Sequence, residues 1–374
     1  MNKECMGIIN LSENDYYIKK LAYNRPIASI PIGGRYRVRD FVLSNMVNSG
    51  IQNVGIFSDE KYRSLLDHLG NGKSWDLNRK LDGLFVFSPN VIPQNMAPTK
   101  KGDIYNIYSI IDYIKRSRQN YVLIAPSYMI CNIDYENMLE SHKQAGSDVT
   151  VAFKTIYNAN EEFVRCNTVN IGKTGKVLSI GKNMGVKREA NICLEMYILE
   201  KDFLLEMIYD SISTGEYFYI NDLIHGNVRN LKVTAYEHKG YLSCVNSVDS
   251  YFKTNMDFLN IETARELFYE QGRIFTKIKD ESPAYYSGDA VVENSLIANG
   301  CIINGTVKNS VIFRRVKIEK GAVIENSIIM QNGVIKKNAK IKNAIFDKNI
   351  NISEGKELKG DPKMPIVVEK NTNL

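Results

Sequence analysis

The sequence predicts an α/β domain with a mainly parallel sheet, followed by a parallel β-helix. Two patterns carry that expectation. Up to about residue 260, short apolar runs alternate with amphipathic ones at the spacing of strand–helix–strand units. Beyond about residue 286 the period changes. Ile312, Ile318 and Ile324 stand six residues apart, and Ile329, Ile335 and Ile341 repeat the pattern 17 residues later.

Predicted strands in the first region cover residues 6–11, 53–58, 83–89, 121–127, 148–156 and 193–199. Amphipathic runs at 40–48, 62–69, 104–115 and 135–144 read as the helices between them, the first with Asp40 as its N-cap. Strands alternating with helices place a mainly parallel sheet under helical layers. Residues 167–172 and 176–181, joined by Lys173-Thr174-Gly175, read as an inserted hairpin. The predicted organisation is an α/β domain over 1–260, a connecting segment over 261–285, and a β-helix with a C-terminal tail over 286–374. In that last region, Asn followed by Ser or Ala and two apolar residues recurs at Asn294, Asn309, Asn326 and Asn343, and Gly321-Ala322 is echoed by Asn338-Ala339. A hexapeptide step with small residues at the corners marks a three-sided solenoid. Ordinary hairpins would need strict two-residue alternation, which is not visible. Exposed end coils of such a solenoid favour packing against another subunit.

Composition narrows the function classes. The chain has 374 residues with 48 basic and 42 acidic side chains, a net charge of +6 that is too mild to imply nucleic-acid binding. No apolar run is long enough to cross a bilayer, and Met1-Asn-Lys-Glu-Cys5 is no signal peptide, so the expected location is cytoplasmic. Six scattered cysteines without a C-x-x-C pair suit reduced structural thiols, and none of the four histidines has metal-ligand spacing.

The segment Ile30-Pro-Ile-Gly-Gly-Arg-Tyr-Arg37, followed by Asp40-Phe-Val-Leu-Ser-Asn-Met-Val-Asn-Ser-Gly50, closely resembles the N-terminal motif of glucose-1-phosphate adenylyltransferases (ADP-glucose pyrophosphorylases). The resemblance extends past His68 and Trp75 and through Gly300-Cys-Ile-Ile-Asn-Gly305 and Asn309-Ser-Val-Ile312, nearly the whole chain. It implies a Rossmann-like nucleotidyltransferase domain followed by a left-handed parallel β-helix. It also implies transfer of an adenylyl group from ATP to glucose 1-phosphate with release of pyrophosphate, chemistry that rests on positioning and on charge neutralisation by Mg²⁺, Lys and Arg.

The motif positions are degenerate. Counting back without a gap from Arg25, the three glycines of the family's phosphate loop fall on Ser12, Glu13 and Asp15, its arginine on Tyr17, and the lysine of its second motif on Ile27. Bare glycine amides approach phosphate closely, whereas two carboxylates meet it with like charge. The family's two metal-binding aspartates correspond to Tyr128 and Phe218, neither of which offers a hard cation an anionic oxygen. The sugar-binding E-K-P and G-I-Y motifs become Gly181-Lys182-Asn183 and Glu195-Met-Tyr197, and the base-binding G-T-A-D-A becomes Gly102-Asp-Ile-Tyr-Asn106. Lys182 and Asp222 remain as residual substrate-pocket candidates. No metal and no cofactor is expected for this chain, with Mg²⁺ left to a catalytic partner.

What persists is basic. Arg25 and Arg37 match family arginines that help form an anionic effector site, so they are candidates for anion binding or for an interface. Arg35, Arg39, Lys19 and Lys20 add charge nearby, the lysines and Arg35 as solvated surface groups. Gly33-Gly34 reads as a turn requirement, and Trp75 and Tyr105, Tyr108 and Tyr113 as core. Replacing both Arg25 and Arg37 by Ala is expected to leave the fold intact. The resemblance therefore implies a non-catalytic, regulatory-type subunit. Its expected partner is a catalytic glucose-1-phosphate adenylyltransferase subunit, joined to it in a hetero-tetramer. The alternatives are an active sugar-phosphate nucleotidyltransferase with variant site residues, and a stand-alone sensor of sugar phosphate or nucleotide.

Overall fold

The structure, a computed structural model, describes residues 4–57, 63–87 and 102–374. Residues 58, 62 and 88–89 of the expected elements lie outside the described residues. The chain forms two compact units, neither continuous in sequence. One comprises Met1–Glu13, Phe41–Leu242 and Gln271–Ile274, and the other Asn14–Asp40, Ser243–Glu270 and Phe275–Leu374.

The first unit is built on a nine-stranded sheet. Its strands are β1 (Cys5–Asn10), β2 (Asn53–Phe57), β3 (Gly83–Phe87), β4 (Tyr121–Pro126), β5 (Val149–Ile156), β6 (Asn167–Ile171), β7 (Val177–Lys182), β8 (Ala190–Glu200) and β9 (Val233–Glu237). They run in the order β7-β6-β8-β4-β1-β2-β3, and β8 also pairs β5, which pairs β9. The β4-β1-β2-β3 block and the β5-β9 pair are parallel. Strand β8 enters antiparallel to β4, β5 and β6, and the hairpin β6-β7 forms where the sequence placed one. The parallel strands are apolar on both faces, as burial under helices requires. The predicted helix 104–115 is two, α1 (Asp103–Ser109) and α2 (Ile111–Arg116), because Ile110 at φ −117° leaves the helical region. Asp134 caps the helix Tyr135–Ala145 by accepting the Glu136 and Asn137 amides.

In the second unit, Pro31–Ile32 and Tyr36–Arg37 make a small hairpin over Gly33 (φ 57°) and Gly34 (φ 77°), left-handed positions that glycine occupies without strain. The following helix starts at Val38, two residues before the expected N-cap. Asp40 instead sits in its first turn and takes the Arg37 amide at 2.9 Å. A helix over Val248–Asp257 is closed at its start by a reciprocal Ser247–Ser250 capping box. Its Asn255 accepts the Gly33 amide, and its Tyr251 hydroxyl donates to the Pro31 carbonyl at 2.7 Å.

Residues from Tyr285 onward wind into the left-handed parallel β-helix. One face stacks Tyr285–Tyr286, Ile302–Ile303, Lys317–Ile318, Val334–Ile335 and Asn351–Ile352. The other two faces stack in the same way. Ile312, Ile318, Ile324, Ile329 and Ile335 are fully buried and Ile341 nearly so, which places the hexapeptide isoleucines in the core as the spacing predicted. Asn294, Asn309, Asn326 and Asn343 all adopt left-handed φ, between 40° and 49°, where asparagine is the least costly residue after glycine.

Candidate functional site

In the first unit, polar side chains converge beyond the ends of β1 and β4, and nearly all of them bond to one another. Asn10, the last residue of β1, donates from Nδ2 to the Asp103 carboxylate at 2.5 Å, while its Oδ1 accepts the Ser12 hydroxyl at 2.7 Å. Asp103 also accepts the Ile220 amide at 2.7 Å. Gly102 lies so close to the Phe218 carbonyl that a Cβ there would stand 2.1 Å from its oxygen. The start of α1 is thereby locked to the segment that leads into Ile220–Asn227.

Glu13, at a glycine position of the phosphate loop, folds back and accepts the Ser127 backbone N–H at 2.7 Å. Burial pushes its carboxyl up to about 7, against hydrogen bonding from Ser127 and with help from the charge of Glu195. Glu195 stands where the resemblance places a glycine, and it has kept the glycine backbone, with φ 56° at a bulge in β8. Such a conformation strains a residue with a Cβ. Three side chains hold it there: Asn167 donates at 2.6 Å, Asn221 at 2.8 Å, and Tyr128 donates its hydroxyl. Burial pushes this carboxyl up as well, while those bonds and the charge of Lys182 pull the other way. Below it, Tyr197 meets His225 Nε2 at 3.0 Å, and burial lowers that imidazole to about 4, with Lys182 acting in the same direction.

The structure thus brings Glu13, Tyr128, Lys182 and Asp222 into one neighbourhood, with Phe218 stacked on Tyr105 at its margin. Ser12 is turned onto Asn10. Asp15, Tyr17 and Ile27 belong to the second unit: Asp15 starts a 3-10 turn, Tyr17 is about half exposed, and Ile27 is buried. Among the described residues, no three His, Cys, Asp or Glu side chains gather as metal ligands. The Tyr128 hydroxyl, at the position of a family metal-binding aspartate, is neutral and committed to Glu195. Sequence reasoning missed Asn10, Asp103, Asn167 and Asn221. Only Asn10 lies beside the lost glycines in sequence, and nothing local marked the other three.

The second unit holds the arginine candidates. Arg25 is buried, its Nε donating to the Leu21 carbonyl and its guanidinium pairing with Asp347 at 2.7 Å, each side chain only 7% exposed. The expectation that Arg25 is dispensable to the fold is therefore corrected, since its removal leaves a buried carboxylate without a counter-charge. Arg39 is likewise no surface charge; it is fully buried and donates to the Ala28 carbonyl and the Ser29 hydroxyl. Arg37 differs. Its Nη1 is buried with no hydrogen-bond partner. Burial, reinforced by Arg25 and Arg39, lowers its guanidinium to about 9. Burial together with Arg37 and Arg25 lowers Lys348 to about 7, and Lys279 and Arg314 are also lowered by burial and neighbouring cations. The carboxylates of Asp40, Asp347 and Glu281 offset this clustered positive charge only in part.

The family model for nucleotidyl transferases matches residues 19–259, and the model described as GlmU-like, C-terminal hexapeptide matches residues 283–365. Glycogen biosynthesis protein GlgD of Geobacillus stearothermophilus is 41% identical over 100% of this chain and 98% of its own length. Glucose-1-phosphate adenylyltransferase of Mycoplasma mobile is 32% identical over 87% of this chain and 85% of its own. The chain belongs to the GlgD and glucose-1-phosphate adenylyltransferase family. Another GlgD, from Bacillus subtilis, is 36% identical over 99% of this chain and 96% of its own. Glu13 and Glu195, which the resemblance matches to glycines, each fill space that a glycine would leave open. No described helix is long and apolar enough to cross a membrane.

Proposed function

We propose that this chain is a non-catalytic, regulatory subunit of glucose-1-phosphate adenylyltransferase in glycogen biosynthesis. It acts in the cytoplasm by assembling with a catalytic paralogue in a hetero-tetramer. The observation that carries the reading is the self-bonded pocket. Glu13 holds the Ser127 amide, and Tyr128 is tied to Glu195. Buried Asp103 and the half-buried Glu13 and Glu195 add carboxyl groups where a triphosphate would need cations. A subunit of this kind changes its partner's rate through contacts that differ between the partner's active and inactive states. The clustered cations Arg37 and Lys348, with the Arg37 Nη1 left without a hydrogen-bond partner, support an anionic effector as the ligand that biases those states.

The test is a pyrophosphate-release assay on this chain, on its catalytic partner and on the mixture, with co-elution measured in parallel. The expected result is background turnover alone, and in the mixture a hetero-oligomer whose maximal rate or effector response differs from the partner's. Robust Mg²⁺-dependent turnover by the chain alone, or failure to co-elute, overturns the reading.

A further inference from the structure

The second unit contains a groove of about 520 Å³, inside the roughly 300–1,000 Å³ range of ligand sites. One wall is the corner of the β-helix where Asn294, Asn309, Asn326 and Asn343 stack, one from each of four successive coils. The other wall is apolar: Phe252 and Met256, four residues apart on the helix Val248–Asp257, and Leu259 just beyond its end. All three of these side chains are only partly buried.

We propose that this groove binds a neutral, extended oligosaccharide of hexose units, a site that stands apart from the subunit reading above. Three features select that chemistry. None of the residues that line the groove is charged. Beside the ladder, Glu293 pairs with Lys308 and Glu325 with Lys342, so the flanking charges cancel, which disfavours a phosphate or nucleotide. At Asn294, Asn309 and Asn326 the ladder offers carboxamides, which both donate and accept, as sugar hydroxyls do, while the buried Asn343 amide donates to the Gly360 carbonyl. Asn294 donates to Asn309 at 2.8 Å, and among the described residues the Asn326 amide bonds to no other side chain. The rungs repeat at the spacing of adjacent strands, about 4.7–4.9 Å. That is close to the length of one hexose along an extended chain, and shorter than the two-residue repeat of an extended peptide. Opposite, the apolar wall suits the C–H face of a pyranose ring.

The test titrates the full-length chain with maltotetraose and with cellotetraose, following saturation transfer to the sugar protons and heat of binding. Asn326→Gly removes a carboxamide yet allows the left-handed φ of 43°. Met256→Glu places a charge in the groove at a partly exposed helix position. The expected result is saturable binding of at least one sugar, weakened roughly tenfold or more by each variant, about 1.4 kcal/mol, with unchanged melting. If one variant fails to fold, the other carries the comparison. Absence of saturable binding by the wild-type chain, or unchanged binding in the folded variants, overturns the proposal. A change in hetero-oligomer assembly or pyrophosphate release bears only on the subunit reading.

Discussion

The Glu13 carboxylate accepts the Ser127 backbone N–H at 2.7 Å, so a side chain from the loop after β1 holds the first amide beyond β4. Loop glycines would leave bare backbone N–H groups free to approach phosphate oxygens. Here the acceptor is part of the chain itself. A ligand that used the Ser127 amide would first have to displace Glu13.

Protonation of that carboxylate sets a pH dependence. The ordinary value of 4.5 rises to about 7 in the folded protein, so the folded state holds this proton more tightly than the unfolded chain between those limits. The stability it contributes is full below 4.5 and is lost as pH climbs to about 7. Glu13→Gln keeps an acceptor for Ser127 without the charge. It is expected to melt higher than wild type above pH 7, with a gain that shrinks toward pH 4.5. Equal melting curves above pH 7 would show that the carboxyl is not held in a buried site.

Glu195→Gly separates strain from bonding. Glycine removes the cost of the left-handed backbone, worth about 1–2 kcal/mol. It also strips Tyr128, Asn167 and Asn221 of their shared acceptor, at about 1–3 kcal/mol for each buried group left unpaired. Net destabilisation in urea unfolding is the expected outcome. A variant more stable than wild type would mean that strain outweighs the network.

The buried pair Arg25–Asp347 gives a thermodynamic cycle. Arg25→Ala should cost about 3–5 kcal/mol, because Asp347 is left buried and alone. Arg25→Met combined with Asp347→Leu should recover most of that loss. A single-variant cost below about 1 kcal/mol, the range of exposed pairs, would show that water reaches the site.

Lys348 provides the readout for anion binding. Its value falls from 10.5 to about 7 in the folded protein, so across that window the unfolded chain binds more protons and this group's contribution to stability rises with pH. Sulfate bound beside Lys348 and Arg37 favours the charged lysine. It should raise the melting temperature most near pH 7 and flatten the slope. Lys348→Met should be more stable than wild type without sulfate and gain less from it. Equal effects of sulfate and of chloride at matched ionic strength would remove the anion site.

The β-helix was legible because its signals are local. An isoleucine every six residues and an asparagine at each left-handed corner follow from one coil's geometry, and stacking repeats them. The parallel strands were legible as apolar runs, but the antiparallel placement of β8 was not, since a run buried on both faces reads alike in either direction. At the pocket, the loss of glycine at Glu13 and Glu195 was visible, whereas the partners that satisfy them were not. Ser127 lies 114 residues from Glu13, and Asn167 lies 28 from Glu195. Arg25 was misjudged for the same reason: nothing near it in sequence announces Asp347, 322 residues on.

That last separation has a bearing on how the protein is made. Asn14–Asp40 belongs to a unit whose remaining parts, Ser243–Glu270 and Phe275–Leu374, come late in the chain. At about 5–20 residues per second of synthesis, Arg25 waits on the order of tens of seconds for Asp347 to emerge. Pro31 waits for Tyr251, and Gly33 for Asn255, in the same way. Throughout that interval the segment carries the apolar side chains Leu21, Ile27 and Ile30, all buried in the finished protein, ahead of any surface that could complete their unit. The first part of the second unit to leave the ribosome is thus among the last to be secured, and it is the stretch where a nascent-chain chaperone has the most to protect.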